Sequence, residues 1–282
     1  MAALRRTHWL AHLILLAGVA TFVFPVYIAI IGSTHDVSTI ARGRLPFVPG
    51  PHAVENYTRA WTSGEGERVR GEPVQRMMLN SLIMAVTIAT GKIAISILSA
   101  FAVSFFVFPL RMFFFWMIFV TLMLPVEVRI IPTYKVVSDL HMINTIPGLT
   151  IPLIASATAT LIFRQFFLTV PDEMVDAAKI DGAGPMRFFW SILVPLSSST
   201  IAALFVILFI YGWNQYLWPL LITTKSELNT IVIGITKMIG TGDAQTDWQL
   251  IMATVVMAMV PPVAVVVLMQ RWFVKGLTES EK

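Results

Sequence analysis

The sequence predicts an all-α, polytopic membrane protein with six transmembrane helices, and three observations carry that expectation. Of 282 residues, 56% are hydrophobic and only 13% are charged. A soluble domain of this size needs more charge to cover its surface. The mean hydropathy is +0.77, and the apolar residues are gathered into long runs, as they are when lipid is the solvent. Six of these runs have about the 20 residues needed to cross a hydrocarbon core of about 30 Å. One membrane domain over residues 1–282 is the natural organisation.

The first run, 9–31, follows Arg5 and Arg6. That opening suits a signal peptide, but the run is long enough to span and has no clear small-x-small cleavage site at its end, so a retained first helix is expected. Residues 32–78 form a long polar loop with charges of both signs, among them Arg42, Arg44, Glu55, Arg59, Glu65, Glu67, Arg68, Arg70, Glu72 and Arg76. A solvated surface is the simplest role for these, and contact with an external binding protein is the alternative. The second run, 79–106, contains Lys92. Val107 to Arg111 make a tight turn into the third run, 112–131, which contains Glu127 and Arg129. Pro125 is expected to distort that helix near its end. The remaining runs are 146–168, 200–223 (with Asn214 and Gln215) and 250–271.

Six spans put both termini on one side. Residues 132–145 and 224–249 then share a side with the 32–78 loop, and 169–199 is the large connection on the other side. Lys and Arg are denser on the side of the termini, where Arg111, Arg164, Arg271 and Lys275 sit near helix ends. Both termini are therefore expected in the cytoplasm.

Several chemistries are excluded. There is no cysteine, hence no disulfide, thiolate metal site or cysteine nucleophile. The five histidines, at 8, 12, 35, 52 and 141, are scattered over ends and loops, so no metal site is expected. Gly91-Lys92-Ile93 lacks the upstream glycine of a phosphate-binding loop and lies inside a spanning run. No catalytic constellation is visible. The net charge of +4 without a basic, aromatic-interleaved run does not suggest nucleic-acid binding.

The most informative stretch is Thr169 to Leu196, TVPDEMVDAAKIDGAGPMRFFWSILVPL. Thr169 is placed to cap a short helix. Pro171 falls early in its first turn, and Asp172 and Glu173 are favourable to the positive end of its dipole. Met174, Ala177 and Ala178 fall on one small face. Gly182 supplies a position where the helix can stop and turn. Gly184-Pro185 starts a second short helix with Met186, Phe188, Phe189 and Ile192 as apolar anchors, and Pro195 ends it. Two short helices at an angle, with a small face and protruding aromatics, suit docking into a groove of a partner protein. Lying on the lipid surface is the alternative, although the dense Lys/Arg face of such helices is missing.

The run Asp176-Ala177-Ala178-x-x-Asp181-Gly182-Ala183, followed by Pro185, Phe188 and Pro195, resembles the EAA loop of binding-protein-dependent ABC import permeases. Asp176 stands where that family usually has Glu. Further stretches resemble the branch of that family that imports sn-glycerol 3-phosphate: 108–119, 122–129, 211–220 and 269–277. The resemblance implies a type I ABC importer permease fold in a bacterial inner membrane, with residues 169–196 as cytoplasmic coupling helices. It implies four kinds of companion: a second, homologous permease subunit, two ATPase subunits, a periplasmic solute-binding protein and the bilayer. It implies no cofactor on this chain, with ATP and Mg held by the ATPase subunits.

Charges inside the spans need company. Lys92 near mid-span costs roughly 2.5–3.5 kcal/mol unless it faces protein or water. It is read either as an electropositive wall for an anionic solute or as a structural partner of a neighbouring carbonyl or acid. Arg129 is suited to a phosphate through its planar fork of donors, or to the headgroup level. Glu127, two residues away, does not face it on a helix. Asn214 and Gln215 either join helices or line the conduit. A permease for a neutral sugar and a stand-alone secondary carrier are the competing functions.

Overall fold

The computed structural model describes residues 2–43, 46–66, 71–121, 124, 126–239 and 246–279, with the backbone alone at 2–8, 126–127 and 271–279. It is helical, and no strand occurs among the described residues. The helices fall into two compact units, one of residues 1–78 with 233–260, the other of 79–232 with 261–282.

In the first unit, α1 (Ala2–Gly32) enters from the N-terminus. Its segment Trp9–Gly32 is long and apolar enough to cross a membrane. The 32–78 loop is built rather than merely solvated. It folds into α2 (Val37–Ala41) and α3 (Ala53–Thr62). Asp36 caps α2 by accepting from the Ser38 and Thr39 amides. The buried Asn56 amide donates to the carbonyls of Ser33 and His35, both at 2.9 Å. The Thr34 hydroxyl accepts from Gly50 N at 2.7 Å. These bonds satisfy backbone groups that burial would otherwise leave unpaired. The loop's charges pair locally, Arg59 with Glu55 at 2.7 Å and Arg76 with Glu72 at 3.6 Å.

The second unit is organised around α4 (Val74–Phe105), which crosses from the first unit. A turn follows, in which Leu110 adopts a left-handed φ of 62° and Arg111 donates to Phe106 O at 3.3 Å. Then come α5 (Arg111–Val120) and α6 (Val126–Asp139). α5 alone is about 15 Å long, half a hydrocarbon core. The fourth expected span is a pair bent by 47°, α7 (Ile146–Thr150) with the 3₁₀ turn Ile151–Leu153, and α8 (Ala157–Phe167).

α9 (Asp172–Ile180) and α10 (Pro185–Phe188) follow, and the chain runs on through a π-helix at Phe189–Leu193 into α11 (Val194–Leu196). A bend of 71° leads into α12 (Ser198–Trp213). After a break at 214–216 comes α13 (Leu217–Ile222), and the chain then returns to the first unit near the start of α14 (Ile231–Met238). The last helix, α15 (Trp248–Glu279), holds Pro261 and Pro262 where the two units divide. Among the described residues, Trp9–Gly32, Val74–Phe105 and Trp248–Gln270 are single helices long enough to span. Counting each bent pair as one span raises the number to five.

The core of this unit is Met84, Ile88, Val137, Leu149, Trp218 and Ile222. Trp218 Nε1 donates to Gly148 O at 3.1 Å, so the indole is satisfied as well as buried. Asn144 holds two connections together. It adopts a left-handed φ of 59°. Its amide nitrogen donates to Ile222 O, and its side chain bonds Thr224 Oγ1, Thr224 N and Lys225 N at 2.7–3.1 Å.

Candidate functional site

The elbow between α9 and α10 is closed by hydrogen bonds that need a left-handed residue. Gly182 has φ +73°. Its N–H donates to Lys179 O at 3.0 Å, and Ala183 N donates to Ala178 O at 2.9 Å. This 5→2 and 6→1 pair is a Schellman stop, and it satisfies carbonyls that the helix end would leave open. Asp172 and Glu173 occupy the first turn of α9, as their charge favours. Pro185 opens α10 at a position where its missing N–H costs nothing.

Three sequence expectations change here. Thr169 does not cap α9, whose N-cap is Pro171 without a side-chain bond. The Thr169 hydroxyl donates instead to Phe166 O at 2.7 Å and closes α8. Pro195 does not end the second arm, which continues to Leu196. The π-helix just before it widens the turn where the ring would otherwise clash. Most important, Phe188 and Phe189 do not protrude. They are 6% and 1% exposed.

The two rings tie the elbow to the end of α4. Phe188 meets Phe105 edge-on at 5.5 Å, and Phe189 meets Phe101 at 4.9 Å. Phe105 also touches Phe167 of α8 at 5.7 Å. Each such pair is worth about 0.5–1.5 kcal/mol beyond its area burial. An apolar recess of about 180 Å³ lies beside them, lined by Phe101, Phe105, Phe106, Val175, Ala178, Lys179, Ala183, Pro185 and Phe188.

The small face of α9 is therefore split. Ala178 is buried against the recess, whereas Ala177, Met174 and Asp176 look outward. Asp176 accepts from Lys179 Nζ at 2.9 Å, with both side chains well exposed. An exposed pair of this kind adds little stability and leaves the carboxylate free to exchange partners. Asp181 and Gly182 are exposed at the tip. The outward apolar residues are Met174, Ile180, Met186 and Trp190, with Ile180 86% exposed. Ile180 and Trp190 escaped the sequence reasoning. The only signal for Ile180 was a large apolar residue immediately before the Asp181-Gly182 stop.

A second polar group lies within the spanning helices of the same unit. Lys92 on α4 is 7% exposed, and its ammonium sits 3.8 Å from the centroid of the Tyr211 ring on α12. The two helices come close because Gly212 faces Ala85. A Cβ at Gly212 would lie 2.9 Å from Ala85 Cα. Arg129 lies within electrostatic reach of Lys92 and is exposed on α6. Asn214 is exposed at the end of α12. Gln215 donates from Nε2 to Tyr211 O at 3.1 Å, which satisfies a carbonyl freed by the helix break. The side chain of Glu127 lies outside the described residues. Lys92, Arg129 and the 211–215 break thus belong to one region. Tyr211, the residue that holds Lys92, was not singled out from sequence, since nothing local links residues so far apart in the chain.

Arg164 near the end of α8 stacks its guanidinium over Phe115 of α5 at 4.3 Å from the ring centroid. Among the described residues no group of three or more His, Asp or Glu forms a metal-holding cluster.

Comparison with known proteins agrees with this architecture. Residues 76–279 match the family model described as "Binding-protein-dependent transport system inner membrane component". The chain is 60% identical over 273 residues to the sn-glycerol-3-phosphate transport system permease protein of Rhizobium meliloti, covering 97% of this chain and 96% of that one. It is 58% identical to the protein of that name from Brucella melitensis, with the same coverage. Against the one from Yersinia pestis it is 53% identical, covering 96% of each chain. A solved bacterial ABC transporter involved in the import of the acidic polysaccharide alginate contains a chain of the same fold. That match has TM-score 0.81 and 18% identity, and it covers 95% of this chain and 97% of the other. The all-α polytopic fold is thus that of an ABC importer permease. The chain belongs to the family of binding-protein-dependent transport system inner membrane components, as a multi-pass transport subunit.

Proposed function

We propose that this chain is the permease subunit through which an ATP-driven importer passes sn-glycerol 3-phosphate into the cytoplasm. The observation that carries the reading is identity of 53–60% over almost the whole chain to permeases of that name. It works with a second permease, two ATPase subunits and a periplasmic binding protein. Both termini and the 169–196 elbow face the cytoplasm. ATP and Mg belong to the ATPase subunits, and this chain itself performs no hydrolysis and needs no cofactor.

The elbow's construction supports a mechanical role. Asp176, Ala177, Asp181 and Gly182 are on the outward side, where an ATPase cleft would receive them together with the exposed Met174 and Ile180. Ala178, Ala183, Pro185 and Phe188 line the recess against α4. A push on the tip is therefore delivered to Phe101 and Phe105 of α4 through buried rings, and to α12 through the continuous arm 185–196. Packed cores of this kind move as bodies instead of deforming. When ATP closes the ATPase pair, the elbow shifts and the spans rock between inward- and outward-facing states. Lys92, Glu127, Arg129, Asn214 and Gln215 are the candidates for the wall of the path. Two cations there favour an anionic solute over a neutral one.

Uptake of labelled glycerol 3-phosphate into vesicles holding the co-expressed assembly tests the proposal. ATP-dependent uptake that maltose does not compete away is expected. Competition by the neutral sugar alone overturns the substrate. Uptake without the ATPase, driven by an ion gradient, overturns the mechanism. Copurification of the tagged chain identifies the companions directly.

A further inference from the structure

Lys92 has an unusual companion for a buried cation. Among the described residues no carboxylate pairs with it. Its ammonium rests on the face of Tyr211 at 3.8 Å, with a second cation, Arg129, in electrostatic reach. An aspartate or glutamate would neutralise the lysine and close it to solute. An aromatic face does neither. It holds the ammonium by the ring quadrupole, more weakly than a charge-assisted hydrogen bond donated by the ammonium to a phosphate oxygen would. Tyr211 is 37% exposed although Lys92 is nearly covered, so the residue that holds the charge is accessible where the charge itself is not. Asn214 lies one turn further along and is exposed as well, on the same side of the helix end. The Tyr211 backbone is fixed at the helix break by the Gln215 side chain, and the helix is held close to α4 by Gly212 against Ala85.

We propose that Tyr211 is a specificity-determining residue of the path: its ring holds Lys92 while the path is empty and yields it to the phosphoryl group of an entering phosphate monoester. A neutral polyol or sugar offers nothing that displaces the ring, so the ammonium stays in place. The exchange rests on the import reading given above. It assigns a role to Tyr211, and it explains why a charge is kept in the span with no acidic partner among the described residues.

The test uses proteoliposomes containing the full assembly and the charged binding protein. Import of labelled sn-glycerol 3-phosphate and ATP hydrolysed per solute imported are measured together. Tyr211→Phe keeps the ring face and is expected to import within about twofold of wild type, whereas Tyr211→Leu loses the ring face and falls about fivefold. Lys92→Met is expected to fall about tenfold or more, and Lys92→Arg, which keeps a charge that also sits on aromatic faces, to keep at least about a third. The losses come with more ATP spent per solute. Tyr211→Leu adds nothing to Lys92→Met in the double variant, as a coupled pair requires.

The pair is overturned if Tyr211→Phe is as impaired as Tyr211→Leu, if the two losses multiply, or if Lys92→Met imports normally. It is also overturned if import and hydrolysis fall in strict proportion, the sign of a purely structural fault. Should the Leu or Met variant not assemble, the Phe and Arg variants decide: import within about twofold for Phe and of at least about a third for Arg supports the exchange, and a larger loss in either overturns it. Wild-type assembly that imports a neutral sugar and no glycerol phosphate overturns the import reading and the exchange with it. Wild-type import of glycerol phosphate beside an unaffected Lys92→Met overturns the exchange alone.

Discussion

Substitutions at Gly182 separate the conformation of the elbow from its contacts. The residue has φ +73°, and a Cβ built on it meets nothing within 4 Å. Within this chain, any loss of elbow stability on adding a methyl group therefore comes from the backbone alone. A left-handed L-residue costs about 1–2 kcal/mol, so Gly182→Ala should shift the closed-to-open ratio of the elbow about five- to thirtyfold. Gly182→Asn should cost less, because asparagine tolerates this region. Gly182→Pro is a different matter. Its ring fixes φ near −65°, and it removes the N–H that donates to Lys179 O. It also disfavours the bridge-region backbone of the cap residue Asp181, φ −71° and ψ 2°, because a residue before proline is pushed to extended conformations. The cost is about 3 kcal/mol or more, a shift of about a hundredfold or beyond.

The expected order of ATP-driven uptake at equal membrane content is therefore Gly, Asn, Ala, Pro. Proline should abolish uptake while insertion stays intact. Proteoliposome uptake with stimulated ATP hydrolysis reads the coupling, and protease accessibility reads insertion. A correctly inserted Gly182→Pro variant with normal transport refutes the mechanical role. An alanine variant as inactive as proline refutes the backbone argument.

Other expectations follow from single contacts. Phe188→Ala should destabilise the elbow by about 3 kcal/mol, the lower end for a buried Phe because the neighbouring recess is already open. A thermal melt of the assembled complex in detergent that matches wild type would contradict this. Asn144→Gly keeps the left-handed backbone and loses three side-chain bonds, whereas Asn144→Ala adds backbone strain of about 1–2 kcal/mol. Alanine should therefore melt earlier than glycine, and the reverse order would count against that account. Asp36 is held well below its ordinary value of 3.8, first by the Ser38 hydroxyl and then by that of Thr39. A depressed carboxylate stabilises the fold above its unfolded pKa, and that contribution disappears as pH falls through the folded value. Protection from hydrogen exchange at residues 37–41, taken relative to the intrinsic rate at each pH, should fall only as pH drops below about 4, and Asp36→Ala should be weakly protected at every pH. A flat profile in wild type would sink it.

The sequence by itself determined the solvent of this protein and the place of its elbow. Long apolar runs with few charges can be satisfied only as helices in lipid, because every backbone group must be paired within its own segment. Gly182, Gly184-Pro185 and the acidic first turn are local signals, and local backbone chemistry is what a sequence displays. Tertiary packing decided the rest. Whether Phe188 points at a partner or at α4 depends on where the end of α4 lies, and no spacing within 169–196 encodes that. The polar loop 32–78 looks solvated by composition, yet Asn56 and Thr34 find buried carbonyl and amide partners only once α1 and α3 meet. Lys92 and Tyr211 come together because Gly212 lets α12 approach Ala85 of α4. A cation's partner across a hundred residues of chain is set by which helix faces touch, and only the folded molecule specifies those contacts.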